Sequence, residues 1–190
     1  MQKLVFLLEE QSMKEALEII LPLILPREIS FICIPHHGKS HLRKSIKSKL
    51  IGWKEPRVQF VIVHDQDSAK CIDVKDEISA LAGEAKRPDT LIRIACRELE
   101  SWFLGDFNAI EKGFHVNLAS KRNMALFRDP DNIPNAKQEL RKLVPAYQQI
   151  TGSRTIARYM NIETNTSHSF RVFIAGVRRL CQNKTADSPC

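Results

Sequence analysis

Four short apolar runs punctuate the first hundred residues: "KLVFLL" (3–8), "ISFICI" (29–34), "VQFVIVH" (58–64) and "TLIRIAC" (90–96). Each is strand-length and predominantly apolar, the pattern of strands buried on both faces. The segments between them carry helical spacing instead. Ser12 with Glu15 has the form of a capping box opening a helix through "MKEALEIIL". Leu42, Ile46 and Leu50 recur every four residues and predict a helix near 40–51. Asp73 is placed to cap a third helix through "VKDEISALAGEAKR". Strands alternating with amphipathic helices predict an α/β fold with a parallel sheet covered on both faces. After residue 97 the pattern turns helical, in "ELESWFLGDFNAIEKGF", "NAKQELRKLV" and "SHSFRVFIAGVRRL". The expected organisation is a sheet core over 1–100, a helical extension over 101–182 packed on it, and a flexible tail at 183–190.

Composition narrows the setting. The chain has 190 residues, 43% of them hydrophobic and 27% charged, which suits one soluble globular unit. The longest apolar stretch, "LEIILPLIL", is broken by Pro22 and falls short of a membrane span. The N-terminal apolar run is too short for a signal peptide, and a cytoplasmic location is expected. Five cysteines without a C-x-x-C pair exclude a disulfide framework and a structural zinc site. Cys33, Cys71 and Cys96 read as small core residues on or beside strands.

Charge adds a partner. The net charge is +7, and residues 36–54, "HHGKSHLRKSIKSKLIGWK", hold six Lys/Arg and three His with no acid. A helix burying Leu42, Ile46 and Leu50 turns Arg43, Lys44 and Lys47 toward water or a polyanion. Lys39, on the loop after the second strand, and His37 beside it extend that basic edge toward a phosphate backbone.

Candidate chemistry lies at the strand ends. The first strand runs into Glu9 and Glu10, and the third into His64, Asp65 and Asp67. In an open parallel sheet, ligands bind beyond the carboxyl ends of the strands, where strand order reverses. A 2-1-3-4 order makes strands one and three neighbours and brings Glu9 to Asp65 and Asp67. Carboxylates so placed repel one another unless a cation lies between them, and an all-oxygen set favours Mg²⁺ or Mn²⁺. A phosphorylatable receiver domain also carries acids after strands one and three, but its fifth strand ending in Lys has no counterpart here.

"FLLEEQSMKEAL", "HHGKSHL", "VIVHDQDSAKC", "RIACRELESWFLGDFNAI", "DPDNIPNAKQEL" and the late "SRTIARYM…SHSF" segment resemble, in order, the motifs of an uncharacterised Toprim-like family. The resemblance spans nearly the whole chain. It implies a Toprim-like Rossmannoid core and a divalent-metal-dependent nuclease acting on DNA or RNA, with Glu9, Asp65 and Asp67 matching the acidic triad. Family members also resemble Toprim effectors encoded beside SMC/ABC-type ATPases in bacterial anti-phage systems, which implies an ATPase subunit as partner. Glu10 stands where the family pattern has glycine, and Met13 where two-metal members carry a second Glu, so one metal or two stays open. Glu98 and Glu100, after strand four, are the candidates to replace the missing ligand.

The roles expected are metal ligation by Glu9, Asp65 and Asp67, catalytic participation by Glu100, and phosphate contact by Lys39, Arg43, Lys44, Lys47 and His37. His36, His37 and His64 are candidate proton shuttles, since imidazole titrates near neutrality. Trp53 has the option of stacking on a base, whereas Trp102, in "SWFL", reads as core. The alternative function is a non-catalytic Toprim-like subunit serving assembly or sensing in the same kind of complex. Neither reading involves a membrane, and both leave self-association open.

Overall fold

The computed structural model describes residues 2–182; the tail expected at 183–190 lies outside the described residues. Its sheet consists of β1 (Gln2–Leu8), β2 (Ile29–Pro35), β3 (Val58–Asp65) and β4 (Leu91–Ala95), all parallel, in the order β2-β1-β3-β4. Three helices make the crossovers: α1 (Gln11–Ile24), α2 (Lys39–Gly52) and α3 (Cys71–Glu84). The remaining helices are α4 (Glu100–Leu104), α5 (Phe107–Phe114), α6 (Ala119–Arg122), α7 (Ala136–Leu143), α8 (Gln149–Ala157) and α9 (His168–Gln182). No helix among the described residues is long and apolar enough to cross a membrane.

Side-chain alternation splits the strands between two cores. Val5, Leu7, Phe60, Ile62, Ile92 and Ile94 point to the face covered by α2 and α3. Leu4, Phe6, Leu8, Val61 and Val63 point to the other, where α1 and the helices after β4 form one continuous cluster. The helical extension therefore shares a core with the sheet. Arg154 on α8 reinforces that packing by donating through Nε to Glu15 on α1 at 2.7 Å.

Two helix starts differ from the sequence expectation. α1 begins one residue before Ser12, so Ser12 and Glu15 lie inside the helix, buried, and the capping box does not form. Glu15 instead accepts from Gln11 and Arg154, because tertiary partners reach it. α3 is entered from Lys70, which leaves Asp73 within the first turn, where the helix dipole favours an acid, and not at its cap. Pro22 lies inside α1 and ends nothing before Ile24.

The segment "ELESWFLGDFNAIEKGF" divides into α4 and α5 at Gly105 and Asp106. A Cβ on Gly105 would collide with Asn165 Oδ1, whose amide nitrogen donates to Trp102 O at 2.8 Å. Asp106 caps α5 by accepting from Ala109 N at 3.1 Å. Trp102 is fully buried, with Nε1 donating to Ser169 Oγ at 2.9 Å and its ring against Phe170 and Phe173. It anchors α4 under β4 and so fixes Glu100, at the start of that helix.

Candidate metal centre

Adjacent pairing of β1 and β3, with Leu8 opposite Val63, delivers Glu9 beside the end of β3. Glu9 Oε2 accepts the backbone N–H of Asp65 at 3.0 Å and stands 3.1 Å from His64 Nδ1. Both acids are almost sealed from solvent, at 5% and 7% exposure. Burial pushes the Glu9 carboxyl up to about 7 against the Asp65 N–H bond that lowers it, and the charges of Asp67 and Glu10 add to the rise. Asp65 is raised well above the ordinary carboxylate range, first by burial and then by the charges of Glu9, Glu100 and Glu10.

Asp67 sits on a strained turn. Its φ is +55°, and that of Arg97, just after β4, is +62°; both are left-handed conformations that cost non-glycine residues about 1–3 kcal/mol each. Backbone bonds hold the turn in place: Asp67 N donates to Arg97 O at 2.8 Å and Gln66 N to Ala95 O at 2.9 Å. Arg97 N closes the loop onto Gln66 Oε1 at 3.2 Å. The Asp67 carboxylate turns to Lys39 Nζ at 2.8 Å, an ion pair that raises the Lys39 pKa.

Glu100 completes the acidic edge from the far side. It is 1% exposed, and Tyr147 OH donates to its Oε1 at 3.0 Å. Burial raises its pKa in spite of the opposing Lys137 charge. Lys137, near the start of α7, loses some basicity to burial but is raised on balance by Glu100, Glu10, Glu98 and Asp65. Glu98 is engaged in positioning that lysine: it accepts Lys137 N at 2.9 Å and lies 3.8 Å from Nζ. Met13 is 1% exposed inside the apolar core, away from any ligand role.

Two oxygens at this edge, Asp65 Oδ1 and Glu100 Oε2, are buried without a hydrogen-bond partner. An orphaned carboxylate oxygen costs free energy unless something electropositive meets it. Among the described residues no three such side chains are closed into a metal cage. The donor set, oxygen only and few in number, fits a hard divalent cation that keeps several waters.

The basic helix is partly neutralised from within. Arg43 pairs with Glu77 at 3.1 Å and Lys47 with Glu84 at 2.6 Å, both acids on α3, while Lys44 is exposed. His37 is exposed and stacks in parallel on His41, with ring centroids 5.4 Å apart. His36 is buried, with Nδ1 2.8 Å from Leu8 O. Trp53 packs edge-on against Phe60 at 5.8 Å. Cys33 is buried, whereas Cys71 and Cys96 are half-buried at element ends.

The contributions of Lys137, Tyr147 and Gln149 are not evident from sequence. Their partners Glu98, Glu100 and Glu10 are 39, 47 and 139 residues away, and no local pattern links them. Lys137 lies within "DPDNIPNAKQEL", where only its basic charge marks it.

Sheet order, acids at the strand ends and a helical cover define an α/β protein of Toprim-like fold. The chain belongs to the family described as a domain of unknown function, DUF4276, whose model matches residues 8–178. No curated protein matches it. Among solved structures it is similar in fold to the "C-terminal region of the Burkholderia pseudomallei OLD protein", with a TM-score of 0.50 and 15% identity over 94% of this chain and 98% of that one.

Proposed function

We propose that the chain is a metal-dependent phosphodiesterase of the Toprim type, hydrolysing DNA or RNA. What supports this reading is the contact of Glu9 with Asp65 on one buried edge that also feels the charge of Glu100, with Asp65 Oδ1 and Glu100 Oε2 unpaired. Asp67 stands beside them on the Lys39 ion pair. Likeness in fold to the OLD region supports it.

Glu9, Asp65 and Asp67 would hold Mg²⁺ or Mn²⁺, with Glu100 as a further oxygen ligand. The ion, when bound, supplies Lewis-acid polarisation of the scissile phosphate. The chain's own residues do the rest. Tyr147 holds Glu100 by its Oε1, so Oε2 is the oxygen left for the edge. Lys137 brings a fixed positive charge to the same acids, available to an anionic phosphate once the ion offsets the carboxylates. Lys39 can exchange Asp67 for a phosphate oxygen, since an exposed ion pair is worth only about 0–1 kcal/mol. Burial favours the neutral ring of His64, beside Glu9.

The family resemblance supports placing this chain as an effector subunit beside an SMC/ABC-type ATPase in an anti-phage system. A non-catalytic subunit is the second reading, favoured by the Lys39–Asp67 pair, which engages one of the acids. The deciding assay incubates purified protein with plasmid and with total RNA, with and without Mn²⁺, beside Asp65→Ala. Mn²⁺-dependent cleavage lost in the variant is expected; cleavage equal in both proteins assigns the activity to a contaminant.

A further inference from the structure

A cavity of about 240 Å³ opens between the start of α1, the β2–α2 turn and the start of α8, lined by Glu10, Ser12, His36, His37, Gln149 and Ile150 among others. It adjoins the acidic edge: Glu10 follows Glu9, and Gly38 N donates to Glu9 O at 3.0 Å. Its polar lining includes the Glu10 carboxylate and the His36 ring beside the Gln149 amide. The Glu10 carboxylate faces it, tied to the Gln149 amide, with Ser12 Oγ donating to the carboxylate at 3.4 Å.

His36 Nδ1 faces the Leu8 carbonyl and must carry the proton there, so Nε2 of the neutral ring is an acceptor, buried and without a partner. Burial keeps that ring neutral by lowering its pKa. At the rim, the parallel exposed rings of His37 and His41 offer a stacking face, and Ile150 an apolar one. A phosphate entering this cavity meets a carboxylate. A planar group with N–H donors on its edge meets acceptors and a stacking surface.

We propose that this cavity receives one unpaired nucleobase bearing an exocyclic amino group, from the strand whose phosphate lies at the acidic edge. The inference rests on the nuclease reading and adds to it a substrate class: single-stranded nucleic acid, with adenine, cytosine or guanine preferred over uracil or thymine beside the cleaved bond. In a duplex the base edge and both faces are already occupied, so the pocket selects against paired strands.

The test is fluorescence anisotropy of the full chain with labelled oligo-dC, oligo-dU and a dC·dG duplex, at slightly alkaline pH with Ca²⁺ present to hold the strand at the acids. Cytosine and uracil differ chiefly in amino against carbonyl at one ring position. Oligo-dC should bind about tenfold tighter than oligo-dU, the scale of one good base contact. Glu10→Gln and His36→Phe, checked for folding by circular dichroism, should each bring that ratio toward one, and His37→Ala should weaken both oligomers alike. Equal affinity for dC and dU, duplex binding as tight as single strand, or folded variants that keep the full ratio would overturn the proposal. Equal affinities alongside intact Mn²⁺-dependent cleavage overturn the pocket alone; selective dC binding with no cleavage under any metal overturns the nuclease reading alone.

Discussion

Glu9 Oε2 accepts the backbone N–H of Asp65 at 3.0 Å, which ties the acid ending the path of β1 to the acid ending β3. The bond fixes the Glu9 carboxylate against the Asp65 backbone, in a place where burial and neighbouring acids oppose ionisation of both side chains. Neither effect stabilises the fold on its own, and both are relieved by a cation.

Stability should therefore depend on pH in a definite direction. A carboxyl whose folded-state pKa is raised favours the fold while protonated. For Glu9 that contribution is complete below its ordinary 4.5 and is lost as pH climbs through about 7. Its full size is on the order of 3 kcal/mol by the usual conversion of pKa to free energy. Metal-free Glu9→Gln should match the wild type in Tm near pH 4 and exceed it above pH 7. Mn²⁺ should raise the wild-type Tm more at high pH than at low, since ligation needs the deprotonated acids. A Tm difference that does not vary with pH would remove Glu9 from the titrating edge.

Tyr147 should act through Glu100. Its hydroxyl donates to Glu100 Oε1 and lies 3.3 Å from Ser153 Oγ, so Tyr147→Phe leaves a buried carboxylate short of a partner, at about 1–3 kcal/mol. Mn²⁺ affinity, measured by titration calorimetry, should shift and the pH dependence of that affinity should move with it. A purely packing role changes Tm and leaves the metal titration alone.

Gly152 tests the same support from the opposite side. A Cβ there would run into Tyr147 Cδ2, which requires the ring to move. Gly152→Ala should cost about 1–3 kcal/mol from overpacking, read in urea melts, and should weaken Mn²⁺ binding in parallel. Unchanged stability would mean that α8 yields freely around the ring.

The sheet is legible in sequence because four apolar runs separated by helical spacing admit few topologies, and the β2-β1-β3-β4 order is one that makes β1 and β3 neighbours and sets Glu9 beside Asp65. The helix starts at Ser12 and Asp73 are not, since a capping pattern is local and Arg154 of α8 outcompetes it for Glu15. Glu100 is visible as an acid after a strand. Tyr147, which orients it, and Lys137, which offsets it, are hidden, because only tertiary packing brings them there. The basic run from Lys39 to Lys47 is legible as charge, but its pairing with Glu77 and Glu84 depends on how α3 lies against α2.

That pairing makes a further prediction. If α2 contacts a phosphate backbone, Glu77 and Glu84 compete for Arg43 and Lys47. Glu77→Gln with Glu84→Gln should then tighten nucleic-acid binding and steepen its salt dependence, by about 0.9 in log–log slope for each further phosphate neutralised. Reversal of Arg43, Lys44 and Lys47 to Glu should do the opposite. Affinities unmoved by either set across several salt concentrations would assign this face to solvent or to a protein partner.

The last prediction separates an enzyme from a structural subunit. Asp65→Asn and Asp67→Asn keep side-chain shape and remove charge. In metal-free buffer Asp65→Asn should raise Tm, because the raised pKa of Asp65 marks an ionised form that the fold disfavours. Asp67→Asn should be nearly neutral or slightly destabilising, since it gives up the Lys39 pair at 2.8 Å. In the catalytic reading both variants lose Mn²⁺-dependent cleavage, and with it any phage protection or toxicity on induction, while the fold and binding to the proposed ATPase partner persist. In the subunit reading both variants keep cellular function, and changes on the exposed surface of 134–181 abolish it. Full protection from a chain carrying both substitutions would exclude hydrolysis at this edge, whatever the fold it shares.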